Sequence, residues 1–246
     1  MSKVYTSGYE DSLLRGREDP RPWSIGDVIE AECLASTRFL DVGCGTCSKT
    51  AHVAEGIHAF CGIDPSAEML KLAGARLEQL GVGQFILCVG DASSLPYRDG
   101  SFDVAVSLLA PHSAGELSRV LAPSGIAVVE KIGERDKANL KEPFGMDNDG
   151  VPRGQFLMEE GRRLKSLVRE FEASFDVVEA RTGKWGTSLS PEGVLRLFQE
   201  TGTIREFDER RDSQALEEVF ALADSDGRIK TTQHRILLLA RKGETR

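Results

Sequence analysis

Between residues 38 and 130 the apolar positions gather into five short runs, separated by stretches of polar or helical pattern. The runs are Phe39-Leu-Asp-Val42, Ala59-Phe-Cys-Gly-Ile-Asp64, Gln84-Phe-Ile-Leu-Cys-Val-Gly-Asp91, Ser101-Phe-Asp-Val-Ala-Val-Ser107 and Ile126-Ala-Val-Val-Glu130. Each is short and bounded by turn residues, which is the signature of a strand rather than a helix. Strands alternating with helical segments predict a doubly wound parallel sheet. The clearest helix follows Asp64. Ser66 is its cap, Glu68 favours its positive end and Gly81 stops it. Met69, Ala73, Leu77 and Leu80 recur at helical spacing, which predicts that this face is the buried one. Ser24 is placed to cap a second helix carrying Ile25, Val28 and Ile29, and Cys47–Glu55 has the pattern of a third.

Beyond residue 132 the rhythm changes. Residues 134–154 are charged and rich in Gly, Asp and Pro, the composition of a long loop. Residues 156–171 place Leu164, Leu167, Val168 and Phe171 on one face and charges on the other, which predicts an amphipathic helix. Phe175–Glu179 is a sixth strand, Pro191 opens another helix, Ser213 is placed to cap a further one, and His234–Ala240 is a closing strand. The expected fold is therefore α/β, with a mostly parallel seven-stranded sheet ended by an antiparallel strand. It forms one domain: 24–132 as the cofactor-binding half, 133–190 as an insertion after the fifth strand, and 191–246 returning to the sheet. An insertion there lies beside the carboxyl ends of the strands, where ligands bind in open α/β sheets. It serves either as a substrate cap or as a dimer surface, so a monomer and a homodimer both agree with it.

Composition narrows the function. A net charge of −8 and a pI near 5.2 argue against nucleic acid as a partner, because phosphate binding needs basic surface. A local patch at Arg162, Arg163, Lys165 and Arg169 is the exception to consider, although such a run also suits the solvated face of a helix. No apolar run reaches the length of a membrane span, and the amino terminus lacks the apolar stretch of a secretory signal. Five cysteines, mostly inside apolar runs, fit reduced thiols and a cytoplasmic protein.

The chemistry centres on Arg38-Phe-Leu-Asp-Val-Gly-Cys-Gly-Thr-Cys47, a strand that runs into a glycine turn. Gly43 and Gly45 let a ligand approach backbone where a Cβ would collide with it. Asp64, 19 residues past Gly45, stands at the tip of the next strand, where an acid accepts bonds from ribose hydroxyls. Its other reading is a partner for the following helix terminus. Cys44 and Cys47 also fit a dithiol pair, but both lie inside the glycine turn and no second Cys or His pair completes a zinc set.

Taken together, Leu40-Asp-Val-Gly-Cys-Gly-Thr46, Gly62-Ile-Asp-Pro-Ser66, Gly90-Asp-Ala92, Ser101–Ser107 and Val120-Leu-Ala-Pro-Ser-Gly125 resemble the ordered motifs of class I S-adenosylmethionine-dependent methyltransferases. The resemblance covers about residues 24–132 and departs from the family at Cys47, where a third glycine is usual. It implies S-adenosyl-L-methionine as cofactor, held by Asp41, Gly43, Cys44, Gly45, Asp64, Pro65, Asp91, Ala92 and the backbone at Ser107 and Leu108. Within that set it implies that Asp91 accepts from the adenine amino group and that Asp41 faces the methionine end. It also makes Tyr9 a candidate in an amino-terminal lid. His112, beside the fourth strand tip, and Glu130, at the fifth, are the two candidates for chemistry. A helix-capping or surface histidine and a solvated strand-end acid are the alternatives. The reading is a methyltransferase acting on a small-molecule acceptor through O, N or C. RNA or protein acceptors stand second. A nicotinamide-dependent oxidoreductase or non-catalytic cofactor binder stands third, because its fingerprint wants Gly or Ala at Ser48 and leaves the later motifs without a purpose.

Overall fold

A computed structural model of the protein describes residues 15–244; Tyr9 lies outside them. Eight strands share one sheet: β1 (Arg15–Glu18), β2 (Arg38–Val42), β3 (Ala59–Asp64), β4 (Phe85–Val89), β5 (Phe102–Leu108), β6 (Leu121–Ile132), β7 (Val177–Leu189) and β8 (Ile229–Arg241), in the order β1-β7-β8-β6-β5-β2-β3-β4. The pairs β2–β3, β3–β4, β2–β5 and β5–β6 are parallel. The Gly133 N–H donates to the His234 carbonyl and the Lys242 N–H to the Gly125 carbonyl, so β8 runs antiparallel to β6. The seven expected strands are thus present, and the eighth is β1. Arg15-Gly-Arg-Glu18 has no apolar alternation to announce it and pairs with β7 through its backbone, Arg15 opposite Leu189.

The chain divides into two compact units. The unit formed by Trp23–Lys131, Leu164–Thr182 and Ile236 onward carries the recurrent motifs. Along β2, Leu40 and Val42 enter one apolar layer with Ala105, Leu117 and Phe171, while Phe39 enters the opposite layer with Phe60, Val104, Val106 and Leu77. Alternating side chains on strands covered on both faces require this arrangement. Phe39 and Phe60 stack at 5.5 Å between ring centroids. Helix α1 (Ile25–Glu30) is capped by Ser24 and α2 (Ala67–Gln79) by Ser66, each cap accepting an N–H at 3.3 Å. The buried face of α2 is Leu70, Ala73 and Leu77 rather than the expected Met69–Leu80 line, and Leu80 is left 44% exposed. Leu70, Ala73 and Leu77 also follow i, i+3, i+7 spacing, so periodicity alone does not separate the two faces. The segment after the glycine turn forms only a 3₁₀ turn over Ala51–Gly56 rather than the expected helix. Cys47 there has φ +54°, which an α-helix cannot contain. Helix α3 (Ala114–Val120) leads directly into β6.

The second unit contains Ile132–Arg163 and Gly183–Arg235 together with the described residues before Trp23. It holds α4 (Ala138–Lys141), α6 (Pro191–Glu200) and α7 (Ser213–Phe220) around Leu140, Phe144, Val194, Phe198, Leu216 and Val219. The N-cap of α7 is Asp212, not Ser213, and its carboxylate is occupied by Arg153 at 2.7 and 2.8 Å. The charged stretch from Glu134, expected to be a long loop, instead carries α4 and folds inward. Asp136 is buried with the Lys137 ammonium at 3.1 Å and the Arg235 guanidinium beside it. Burial pushes the Asp136 carboxyl upward, but Lys137, Arg235 and Lys141 outweigh it and hold the group well below the usual carboxylate range. Helix α5 (Arg162–Glu172) starts later than expected, because Phe156 and Gly161 take left-handed conformations, φ +62° and +83°. Its Leu167 and Phe171 belong to the core of the motif-bearing unit.

Candidate active site

Two ends of the parallel sheet compete for the role of site. The amino ends of β2 and β5 border a hollow of about 460 Å³, but its walls carry the Arg38–Asp103 ion pair (2.7 Å) and none of the Gly43–Gly45 turn. The carboxyl ends of β2, β3 and β4 carry Asp41, Asp64 and Asp91. Asp41 pairs across from Gly62, and Asp64 from Val89, so the three acids stand on adjacent parallel strands at one edge. In open α/β sheets this is the ligand-binding edge.

The glycine turn wraps over the tip of β3. The Gly43 and Cys44 N–H groups donate to the Ile63 carbonyl at 2.8 and 3.1 Å. Gly43 has φ +71°, and a Cβ built on it would fall 2.3 Å from the Ala110 Cβ. Only glycine meets both conditions. At Gly45, φ +52°, a Cβ would meet nothing within 4 Å, so the space beside this backbone is open. The Asp64 carboxylate borders that space: one oxygen accepts the Gly45 N–H and the other the Ser66 N–H, both at 2.9 Å. The Ser66 contact is the helix-terminus partnership that was one of the two sequence readings of Asp64, and the Gly45 contact ties the same carboxylate to the glycine turn. Cys47, buried and strained, replaces the family's third glycine. It hydrogen-bonds the Cys44 thiol, and that bond together with burial pushes the Cys44 thiol well up. All five cysteines are free.

Asp41 is buried and accepts the Thr50 hydroxyl at 2.6 Å. Burial pushes its carboxyl up to about 6; the Thr50 bond and Lys49 oppose this, and Asp64 adds to it. The folded value lies above the unfolded one. Its favourable contribution is therefore complete below about pH 4 and lost as pH rises through about 6. An Asp41→Asn variant is expected to be more stable than the parent by about 2–3 kcal/mol at pH 7.5. The gap should close as the pH falls below about 5 in a series of thermal melts; a gap independent of pH would contradict this account of Asp41.

Strand alternation places Glu130 on the face of Ile126 and Val128, the layer that also contains Cys44 and Cys47. Glu130 is buried, not solvated: Trp23 Nε1 donates to Oε1 at 3.0 Å, and Lys49 Nζ stands 4.0 Å from Oε2. Trp23 stands out in the sequence as an amino-terminal aromatic suited to a lid, but its pairing with Glu130, and that of Lys49, join distant segments and leave no local signal. His112 turns the other way. Its Nε2 lies 3.2 Å from Glu170 of α5, and its ring stacks on Phe171 at 5.3 Å, in the opposite apolar layer. Glu130 and Asp41 thus share Lys49 as a neighbouring charge, while His112 takes its partners on α5. Asp91 is exposed and accepts the Ser93 N–H at 2.8 Å; its bonds to Ser93 hold its carboxyl below the usual range. Ala92 is partly buried against the first layer, and Pro65 is exposed. Ser107 and Leu108 end β5, with the Ser107 side chain fully buried. Of the basic run, Arg163 lies over the Phe156 ring at 3.9 Å, while Arg162, Lys165 and Arg169 are exposed.

A doubly wound sheet with a glycine turn, open space beside it and an acid at each successive strand tip agrees with the class I methyltransferase motifs that the sequence resembles. The profile named "Methyltransferase domain" matches residues 40–129, the stretch that holds the glycine turn and the parallel strands. The chain is 31% identical to the uncharacterized methyltransferase YcgJ of Bacillus subtilis over 109 residues, 41% of this chain and 43% of that protein. It is also 31% identical to norajmaline N-methyltransferase of Rauvolfia serpentina over 165 residues, 63% of this chain and 52% of that protein. The crystal structure of YcgJ superimposes with a TM-score of 0.63 at 21% identity, covering 90% of this chain and 98% of that one, a likeness of fold. In sequence, the chain spans about half the length of these curated relatives. Among the described residues, no helix is long and apolar enough to cross a membrane.

Proposed function

We propose that this chain transfers the methyl group of S-adenosylmethionine to a small-molecule acceptor, and that the acceptor presents a nitrogen to Glu130. The observation that carries the cofactor half is the open backbone at Gly45 beside the Asp64 carboxylate. A carboxylate has about four lone-pair sites and Asp64 spends two on N–H groups, leaving acceptors for ribose hydroxyls. Asp91 at the next strand tip takes the adenine amino group, and Asp41 faces the methionine end. The bound cofactor supplies an already activated sulfonium methyl. The work left to the chain is alignment, which holding two reactants in register performs. Glu130 suits an amine: it is a buried carboxylate, its Oε1 is fixed by Trp23, and its Oε2 is met by Lys49 only at 4.0 Å. It can accept a hydrogen bond from the acceptor N–H, which leaves the nitrogen lone pair to face the methyl as the C–S bond breaks, and it can receive the proton that nitrogen methylation releases.

The acidic balance of −8 favours a small molecule over RNA. That one relative is named an N-methyltransferase agrees with the nitrogen reading. The test is label transfer from methyl-tritiated cofactor into a fractionated metabolite extract. The expected product is a methylated amine, formed at least tenfold more slowly by Glu130→Gln. Label only in protein or RNA, or a product methylated on oxygen or carbon, would contradict the proposal.

A further inference from the structure

Lys131 is the residue this function leaves without a task. It is 4% exposed on β6, on the opposite face of the strand from Glu130 and in line with Ala127 and Val129. An ammonium in an apolar layer loses several kcal/mol of hydration, which only good partners offset. Its Nζ donates to the Ser107 hydroxyl at 3.0 Å and to the Ala110 carbonyl. The fully buried Ser107 hydroxyl reaches on to the Pro111 and Ala110 carbonyls at 3.2 and 3.3 Å. The Leu109 N–H donates to the Glu130 carbonyl at 2.8 Å. The loop Leu109–Pro111 is therefore fastened to β6 at several points.

This fastening holds the loop in a shape it would otherwise leave. Leu109 has φ +59°, a left-handed conformation that L residues other than Asn and Asp rarely adopt. Such strain persists only where the surroundings over-determine it. What the shape achieves is the seating of Ala110, whose Cβ occupies the place a side chain at Gly43 would take. The loop is one wall of the glycine turn, and Lys131 sets that wall from beneath.

We propose that Lys131 is a positioning residue for the cofactor, fixing Ala110 against Gly43 and so the opening at the methionine end of the site. The inference rests on the reading that this turn receives S-adenosylmethionine. The test compares calorimetric Kd values for S-adenosylmethionine and for methylthioadenosine, which lacks the amino-acid end, in the parent and in Lys131→Met. The expected result is a loss of about tenfold for S-adenosylmethionine, with methylthioadenosine affinity kept within about twofold. Ser107→Ala removes one arm of the clamp without touching the charge. It is expected to shift the same ratio in the same direction, by about threefold, even if Lys131→Met fails to fold. Unchanged S-adenosylmethionine affinity in a folded variant overturns the inference, and so does equal weakening of both ligands, the mark of a general structural effect. A parent protein that binds neither ligand overturns the cofactor reading itself.

Discussion

Gly43→Ala is expected to lose at least a hundredfold in affinity for S-adenosylmethionine, about 2.7 kcal/mol. Two independent penalties meet at this position. The backbone is at φ +71°, which costs an alanine about 1–2 kcal/mol relative to glycine. The new methyl would also start 2.3 Å from the Ala110 Cβ, far inside van der Waals contact. Overpacking of this kind typically costs about 1–3 kcal/mol. Relief requires movement of either Ala110 or the turn. Ala110 is held by Lys131 and Ser107, so the turn is the part that yields. A displaced turn moves the Gly45 N–H away from Asp64 and closes the open space beside it. Calorimetry and thermal melts check both halves: weak or absent binding, with stability lowered by about 2–4 kcal/mol. Affinity within threefold of the parent would show that the cofactor does not depend on this turn.

The second large effect is at Asp64. Asp64→Ala is expected to weaken S-adenosylmethionine binding at least tenfold, about 1.4 kcal/mol. The loss has two sources, because the carboxylate both fastens the turn through Gly45 and, in the proposed complex, accepts the ribose hydroxyls. Asp64→Asn keeps one acceptor oxygen and no charge, and it should fall between parent and alanine variant. Calorimetric affinity unchanged in Asp64→Ala would reduce this residue to a partner of the Ser66 helix terminus.

Much of this was legible in the chain because it is carried by local pattern. The strand runs, the caps at Ser24 and Ser66, and the position of each acid at a strand end all follow from residues within a few positions of one another. Gly43 was legible as a turn residue, although the reason no Cβ fits lies at Ala110, which no local pattern reveals. What escaped was non-local. The strand β1 is made by backbone pairing with β7, for which Arg15-Gly-Arg-Glu18 carries no apolar signal. The stretch from Glu134 to Lys141 read as part of a long loop because two of the groups that hold Asp136 inside, the Arg235 guanidinium and the His234 N–H, are about a hundred residues away. For Glu130 the sequence left a candidate for chemistry and a solvated strand-end acid side by side, because Trp23, which fixes it, is 107 residues distant in sequence. His112 showed only that a histidine stood near a strand tip; Glu170 and Phe171 show which way it turns.

The central claim is that the glycine turn and the three acidic strand tips receive one adenosyl cofactor bearing a methionine. Calorimetric titration of the unmodified protein with S-adenosylmethionine, and separately with NAD at the same concentration, tests it most directly. The account predicts saturable one-to-one binding of S-adenosylmethionine and no heat of binding for NAD. Saturable binding of NAD with none of S-adenosylmethionine would contradict it.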